Sequence, residues 1–188
     1  MDGSPLIDDA RCVTTLVEHL TSYASYHRDQ RNIATHFVGI PMIVVGTQSL
    51  LAKVGIGPLN LAVAGTALAT RYYRKLDPEF GKAMTIALGV SCVAATGIAA
   101  MPFPIWAAAS STLFVGGWAI QFLGHKFEGK KPAFLDDLAS LLIGPLFIAA
   151  ETAFALGFAR ELRAEIENQV GPTHWGQVAA PATATSAA

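Results

Sequence analysis

Residues 37–56, 83–101, 105–123 and 138–159 are each apolar over about the 20 residues that a helix needs to cross a bilayer. Composition agrees: 52% of the 188 residues are hydrophobic and only 14% are charged, against roughly 25% charged in an ordinary soluble domain. Too little polar surface remains to cover the chain in water. The expected fold is all-α, a polytopic membrane helix bundle. It has about four spanning helices, an N-terminal amphipathic helix and a re-entrant helical hairpin. We expect one membrane domain over residues 1–170, with the amphipathic helix in 1–31, the bundle in 32–170 and a disordered tail from 171 to 188.

The spans follow from a pass along the chain. From residue 6 to about 29, Leu6, Val13, Leu16, Leu20 and Tyr23 recur at helical spacing between acidic and basic residues, which predicts an amphipathic helix on or beside the membrane. Asn32 is a candidate N-cap for the next helix, and the first span covers residues 37–56. A shorter run, 59–70, makes the second span. Residues 83–101 and 105–123 make the third and fourth. The last run, 138–159, is interrupted by Gly144-Pro145, where the expected hairpin turns. The acidic N-terminus has no signal-peptide character. Two cysteines, one of them inside an apolar run, make no disulfide framework. A net charge of −1 argues against nucleic acid as a partner.

Short loops rich in Lys and Arg stay on the cytoplasmic side. Arg28 and Arg31 precede the first span, Arg71, Arg74, Lys75 and Lys82 follow the second, and Lys126, Lys130 and Lys131 follow the fourth. The intervening loops hold only Lys53. The N-terminus is therefore expected inside, and the same assignment puts His27, His36 and His125 at one membrane face although they are far apart in sequence. Imidazole suits Zn, Cu, Fe and Ni, so the three could ligate one ion. Nine residues at 100° each would turn His36 away from His27 on a straight helix. A shared metal demands a break between them.

Gln121, His125 and Glu128 fall on one helical face, where an amide and a carboxylate could orient a ligand histidine or hydrogen-bond bound water. Glu151 sits inside an apolar stretch, where a carboxylate is costly and marks function by default; its depth ranks it above Glu128 in expected effect. Each histidine alone could serve only as an interfacial hydrogen-bonding group, and Glu128 could be a solvated loop charge. Asp136 and Asp137 are expected to cap the last helix. No phosphate loop, H-E-x-x-H or G-x-S-x-G pattern is present.

Three stretches in order resemble the 2-hydroxy fatty acid dioxygenase family of lipid alpha-oxidation, small multispan membrane proteins. They are "YHRDQRNIATHFVGIP" (26–41), "WAIQFLGHKFEGKKPAFLDDL" (118–138) and "GPLFIAAE" (144–151). The family's His and Glu are separated by three residues where His125 and Glu128 have two between them, and both spacings keep the pair on one face. The resemblance implies an Fe(II)-dependent enzyme that uses O2 to shorten a long-chain 2-hydroxy fatty acid by one carbon. By matching positions it implies His27, His36 and His125 as metal ligands, with Asn32, Gln121, Glu128 and Glu151 in support. The expected partners are the long-chain 2-hydroxy fatty acid, O2 and membrane lipid. The expected location is a bacterial inner membrane, or the endoplasmic reticulum in a eukaryote, with the site facing the cytoplasm. The rival classes are an ion or small-molecule transporter, a zinc-dependent membrane hydrolase and a scaffold without chemistry.

Overall fold

The computed structural model describes residues 16–57 and 59–176. Helix α1 runs over residues 16–24, and Leu16, Leu20, Tyr23 and Ala24 bury one face of it. That face packs into a core shared with Ile143, Leu146 and Phe147, so α1 is held inside the bundle. The expected helix extended to residue 29, but it stops at Ala24 and the chain reverses over 25–29. Residues 6–15 of that expectation lie outside the described part.

Helix α2, Gln30–Ala52, is capped by Asp29, whose side chain accepts from the Arg31 N–H at 2.9 Å. The cap was expected at Asn32, which instead lies one turn inside with its amide engaged elsewhere. A two-stranded hairpin, Gly55–Ile56 (β1) with Leu59–Asn60 (β2), leads into α3, Leu61–Leu76, capped by Asn60. Asp77 ends α3 and caps α4, Pro78–Ala99, through Phe80 N–H at 2.7 Å. Helix α5, Phe103–Glu128, stops at Gly129 in the left-handed conformation. Among the described residues three helices, α2, α4 and α5, are long and apolar enough to cross a membrane, or four crossings in all if the bent pair Ser140–Ala155 and Arg160–Val170 counts as one span. The expected span at 59–70 is α3, whose 16 residues are fewer than the roughly 20 of a full crossing.

Helices α2 and α5 approach closely because glycines face each other. A Cβ on Gly39 would lie 2.9 Å from the Gly117 carbonyl oxygen, and one on Gly124 would collide with Thr35 and Asn32. Without a hydrophobic drive between helices in lipid, such small-residue contacts and interhelical hydrogen bonds hold a bundle together. Farther along the same pair, Ser49 and Ser110 hydroxyls meet at 2.8 Å and Trp106 Nε1 donates to the Ser49 carbonyl.

The last apolar stretch differs from its expected form. Helix α6, Ser140–Ala155, passes unbroken through Gly144-Pro145, and the bend falls after it, 114° to α7, Arg160–Val170. Pro145 is the sixth residue of α6 and removes the N–H that would bond the Leu141 carbonyl, yet the helix continues through it, whereas Gly157 and Ala159 take positive φ at the bend. Asp137 accepts from the Ala139 N–H ahead of α6, while Asp136 instead receives Tyr26 and Lys131. Residues 171–176, expected to be disordered, run back against the 25–29 reversal: Gln30 N–H donates to the His174 carbonyl at 2.8 Å and His174 N–H to the Arg28 carbonyl at 2.9 Å.

Candidate metal centre

The break demanded by the His27–His36 spacing is the 25–29 reversal itself. It lifts His27 off α1 and returns it beside the first turns of α2. There His27 Nδ1 lies 2.7 Å from the Tyr23 carbonyl and its ring stacks on Tyr23 at 4.2 Å. His36 Nδ1 lies 2.9 Å from the Asn32 carbonyl, one turn back along α2. An Nδ1 next to a carbonyl oxygen must carry the proton, which leaves both Nε2 atoms as lone pairs. Those two Nε2 atoms face each other at 2.9 Å.

Two acceptors at that distance repel unless something positive joins them. A proton could do so only by making one ring an imidazolium, and burial pushes the His27 pKa well below its usual value, with His36 beside it adding to the effect. His125, from the last turn of α5, completes the group: its ring centroid is 5.0 Å from that of His27 and 5.1 Å from that of His36. One donor nitrogen from each of the three buried histidines lies within 4.8 Å of the others. His125 Nδ1 is buried without a hydrogen-bond partner. Converging neutral imidazoles with second nitrogens fixed by carbonyls are the donor set that zinc, copper, iron and nickel accept. These residues fit such an ion.

Glu128 organises the loop between the first two ligands. Its Oε1 accepts from the Arg28 N–H at 2.9 Å, and its Oε2 accepts from the Asp29 N–H at 2.9 Å and from Asn32 Nδ2 at 3.1 Å. Both oxygens are thereby used in holding the reversal against the end of α5, so Glu128 is not a solvated loop charge. Asn32 ties the same corner, donating also to the Tyr26 carbonyl at 3.2 Å. Among the described residues the metal-capable group consists of histidines alone.

Glu151 does not join them. It faces Arg28, Arg163 and Glu167 in a small separate pocket with Thr173. Its link to the histidines runs through Arg28, whose Nε donates to the carbonyls of Ala24 and His27. Glu151 thus sits apart from the histidines, while Glu128 braces the loop between two of them. Lys53 and Arg160 are engaged elsewhere, over the Trp106 ring and at the Gly157 carbonyl.

A cavity of about 70 Å³ lies against the histidines. His36, His125, Gln121, Tyr23 and Ser140 are among its polar lining, and Trp118, Phe122 and Phe134 are among its apolar walls. Gln121 Oε1 is buried with no hydrogen-bond partner. Sequence reasoning missed Tyr23, although its place four residues before His27 is the helical spacing that lets a carbonyl reach an imidazole. It also missed Phe147, whose ring packs on His27 at 5.5 Å, and His174, whose backbone clasps the reversal.

A helical bundle with three candidate membrane spans and a buried histidine trio at one end defines a class, integral membrane proteins with a site suited to a transition-metal ion. Within that class the chain belongs to the Mpo1-like family, described as "2-hydroxy-palmitic acid dioxygenase Mpo1-like", whose profile matches residues 13–156. It is similar to the 2-hydroxy-palmitic acid dioxygenase MPO1 of Saccharomyces cerevisiae, 29% identical over 158 residues that cover 82% of this chain and 89% of the relative. No solved structure matches it.

Proposed function

We propose that this protein is an Fe(II)-dependent dioxygenase that shortens long-chain 2-hydroxy fatty acids by one carbon with O2. The carrying observation is the pair of deprotonated Nε2 atoms of His27 and His36 facing each other beside His125, in a chain of the Mpo1-like family. The C1–C2 bond of the substrate breaks, and the balance with one O2 closes on the shorter acid, carbon dioxide and water. Bound by the three imidazoles, ferrous iron supplies a Lewis-acidic anchor for the substrate's oxygens and the redox capacity to use O2.

The chain's own residues do the rest. Tyr23 and Asn32 carbonyls keep the His27 and His36 rings in the tautomer that offers Nε2, and Glu128 holds the reversal that carries His27. Gln121 Oε1, buried and unpartnered, accepts a hydrogen bond from the substrate's 2-hydroxyl. Trp118, Phe122 and Phe134 exclude water from the head group. The protein acts as one membrane domain in a bacterial inner membrane, or in the endoplasmic reticulum if the cell is eukaryotic, with the site on the cytoplasmic side where the basic loops lie. The test is to incubate purified protein with Fe(II), air and a long-chain 2-hydroxy fatty acid, and to seek by mass spectrometry the acid one carbon shorter, with a chelator control. Metal-dependent product is expected; iron bound without that product would remove the substrate assignment.

A further inference from the structure

The cavity beside the histidines is large enough for a head group and too small for a fatty acyl tail. Ile40, Val44 and Pro145 form part of its wall, and these same three residues wall a second cavity of about 360 Å³ between α2, α4 and α6. That volume falls among ligand pockets, roughly 300–1,000 Å³. Its lining is apolar apart from Ser91 and Thr152, whose hydroxyls are both spent on carbonyls of their own helices, at Leu88 and Ile148. No polar side chain is left there to recognise a head group. Ile40 follows His36 by one helical turn, so the wall that the two cavities share lies directly beside a candidate ligand.

We propose that the groove between α2, α4 and α6 holds the acyl tail of the 2-hydroxy acid while its head lies in the histidine cavity. The inference rests on the dioxygenase reading for the identity of the head group. The lining fits one ligand shape: the polar side chains, His36, His125, Tyr23, Ser140 and the unpartnered Gln121, belong to the smaller cavity, and beyond the shared wall the groove is apolar apart from two hydroxyls engaged with their own helices. Ala83, Ala87 and Thr152 on the groove's rim are exposed, so a tail slides in sideways from the bilayer and needs no threading. Ala87 and Ala149 set how far the tail extends, since both are small and lie along its path.

The test uses the full chain in phosphatidylcholine vesicles with a 2-hydroxy-palmitic acid carrying a diazirine near the end of its tail. After illumination, labelled peptides are mapped by mass spectrometry. The expected label falls within residues 83–91 and 148–152, is displaced by excess unmodified 2-hydroxy-palmitic acid, and is weakened by Ala87→Phe. That exposed position admits a ring without disturbing the core. Ala87→Phe should also lower turnover of the long-chain acid about tenfold, the loss expected when two methylene contacts go, and leave a short-chain 2-hydroxy acid unaffected. Label outside the groove, label that added phosphatidylcholine displaces equally well, or an Ala87→Phe effect independent of chain length would each overturn the proposal. Groove labelling without any turnover would support the tail site and count against the dioxygenase reading, so the two fail separately.

Discussion

His27 and His36 direct their Nε2 atoms at each other across 2.9 Å, each with its Nδ1 committed to a backbone carbonyl. The contact costs free energy in the metal-free protein and becomes favourable only when a cation enters. Binding to the native state alone stabilises by mass action, about 2.7 kcal/mol at a hundred times Kd. Added Fe(II) under argon should therefore raise the thermal midpoint of the wild type in detergent. His27→Ala, His36→Ala and His125→Ala should each abolish this rise and the bound iron measured by elemental analysis, and should abolish turnover with the protein still inserted. A variant that keeps its iron and near-normal turnover removes that histidine from the ligand set.

Glu128→Gln should cost more activity than Glu151→Gln. The amide keeps one acceptor where three donors converge, and leaving a buried donor unsatisfied costs about 1–3 kcal/mol. Loss of such an outer partner weakens metal affinity about 10–100-fold. Titration of iron into both variants checks the order, and a weaker effect at Glu128 than at Glu151 would contradict it.

Acid should empty the centre. The folded pKa of His27 lies well below its unfolded value, chiefly through burial. Its contribution to stability is thus fully present above the unfolded pKa of about 6.5 and is lost as pH falls from there toward the folded value. Metal binding follows the same direction, because protons compete for the nitrogens. Iron retention and thermal midpoint, followed as pH is lowered through about 6.5, should both decline. A metal content that stays constant across that window would show that protons do not compete at these nitrogens.

Gly124→Ala should destabilise the α2–α5 contact, since the added methyl meets Thr35 and Asn32. Overpacking of this kind costs about 1–3 kcal/mol. Gly89→Ala is the matched control: nothing lies within 4 Å of the new methyl, and a helical alanine is favoured over glycine by about 0.8–1.0 kcal/mol. Midpoints moving in the same direction for the two would show that propensity, not packing, sets the first.

The convergence of the three histidines was legible in the sequence, where the Lys- and Arg-rich segments beside them were expected at one membrane face. So was the need for a break between His27 and His36, from the turn per residue of a helix. The site of the cap was not. Asp29 and Asn32 are both cap-forming residues; Asp29 takes the cap by accepting from the Arg31 N–H, while Asn32 lies inside the helix and donates its Nδ2 to Glu128, about a hundred positions away. The bend after α6 was misplaced because Gly144-Pro145 is the stronger local signal, yet α6 runs through it with Gly144 close to Tyr23 and Ile40, and the positive φ values fall at Gly157 and Ala159. Glu151 was ranked by depth alone, which says that a carboxylate needs a reason but not which neighbour supplies it.

The backbone of His174 clasps the reversal that separates His27 from His36, while His125 and Glu128 arrive from α5. Ribosomal synthesis makes these parts in the order His27, His36, His125, Glu128, His174, and the first two are in place long before the residues that brace them. The centre is therefore complete only when nearly the whole chain has been translated and packed. Loading of a metal at these histidines would then be a step of maturation after insertion, and a nascent chain stalled before α5 carries unbraced histidines that should hold metal weakly.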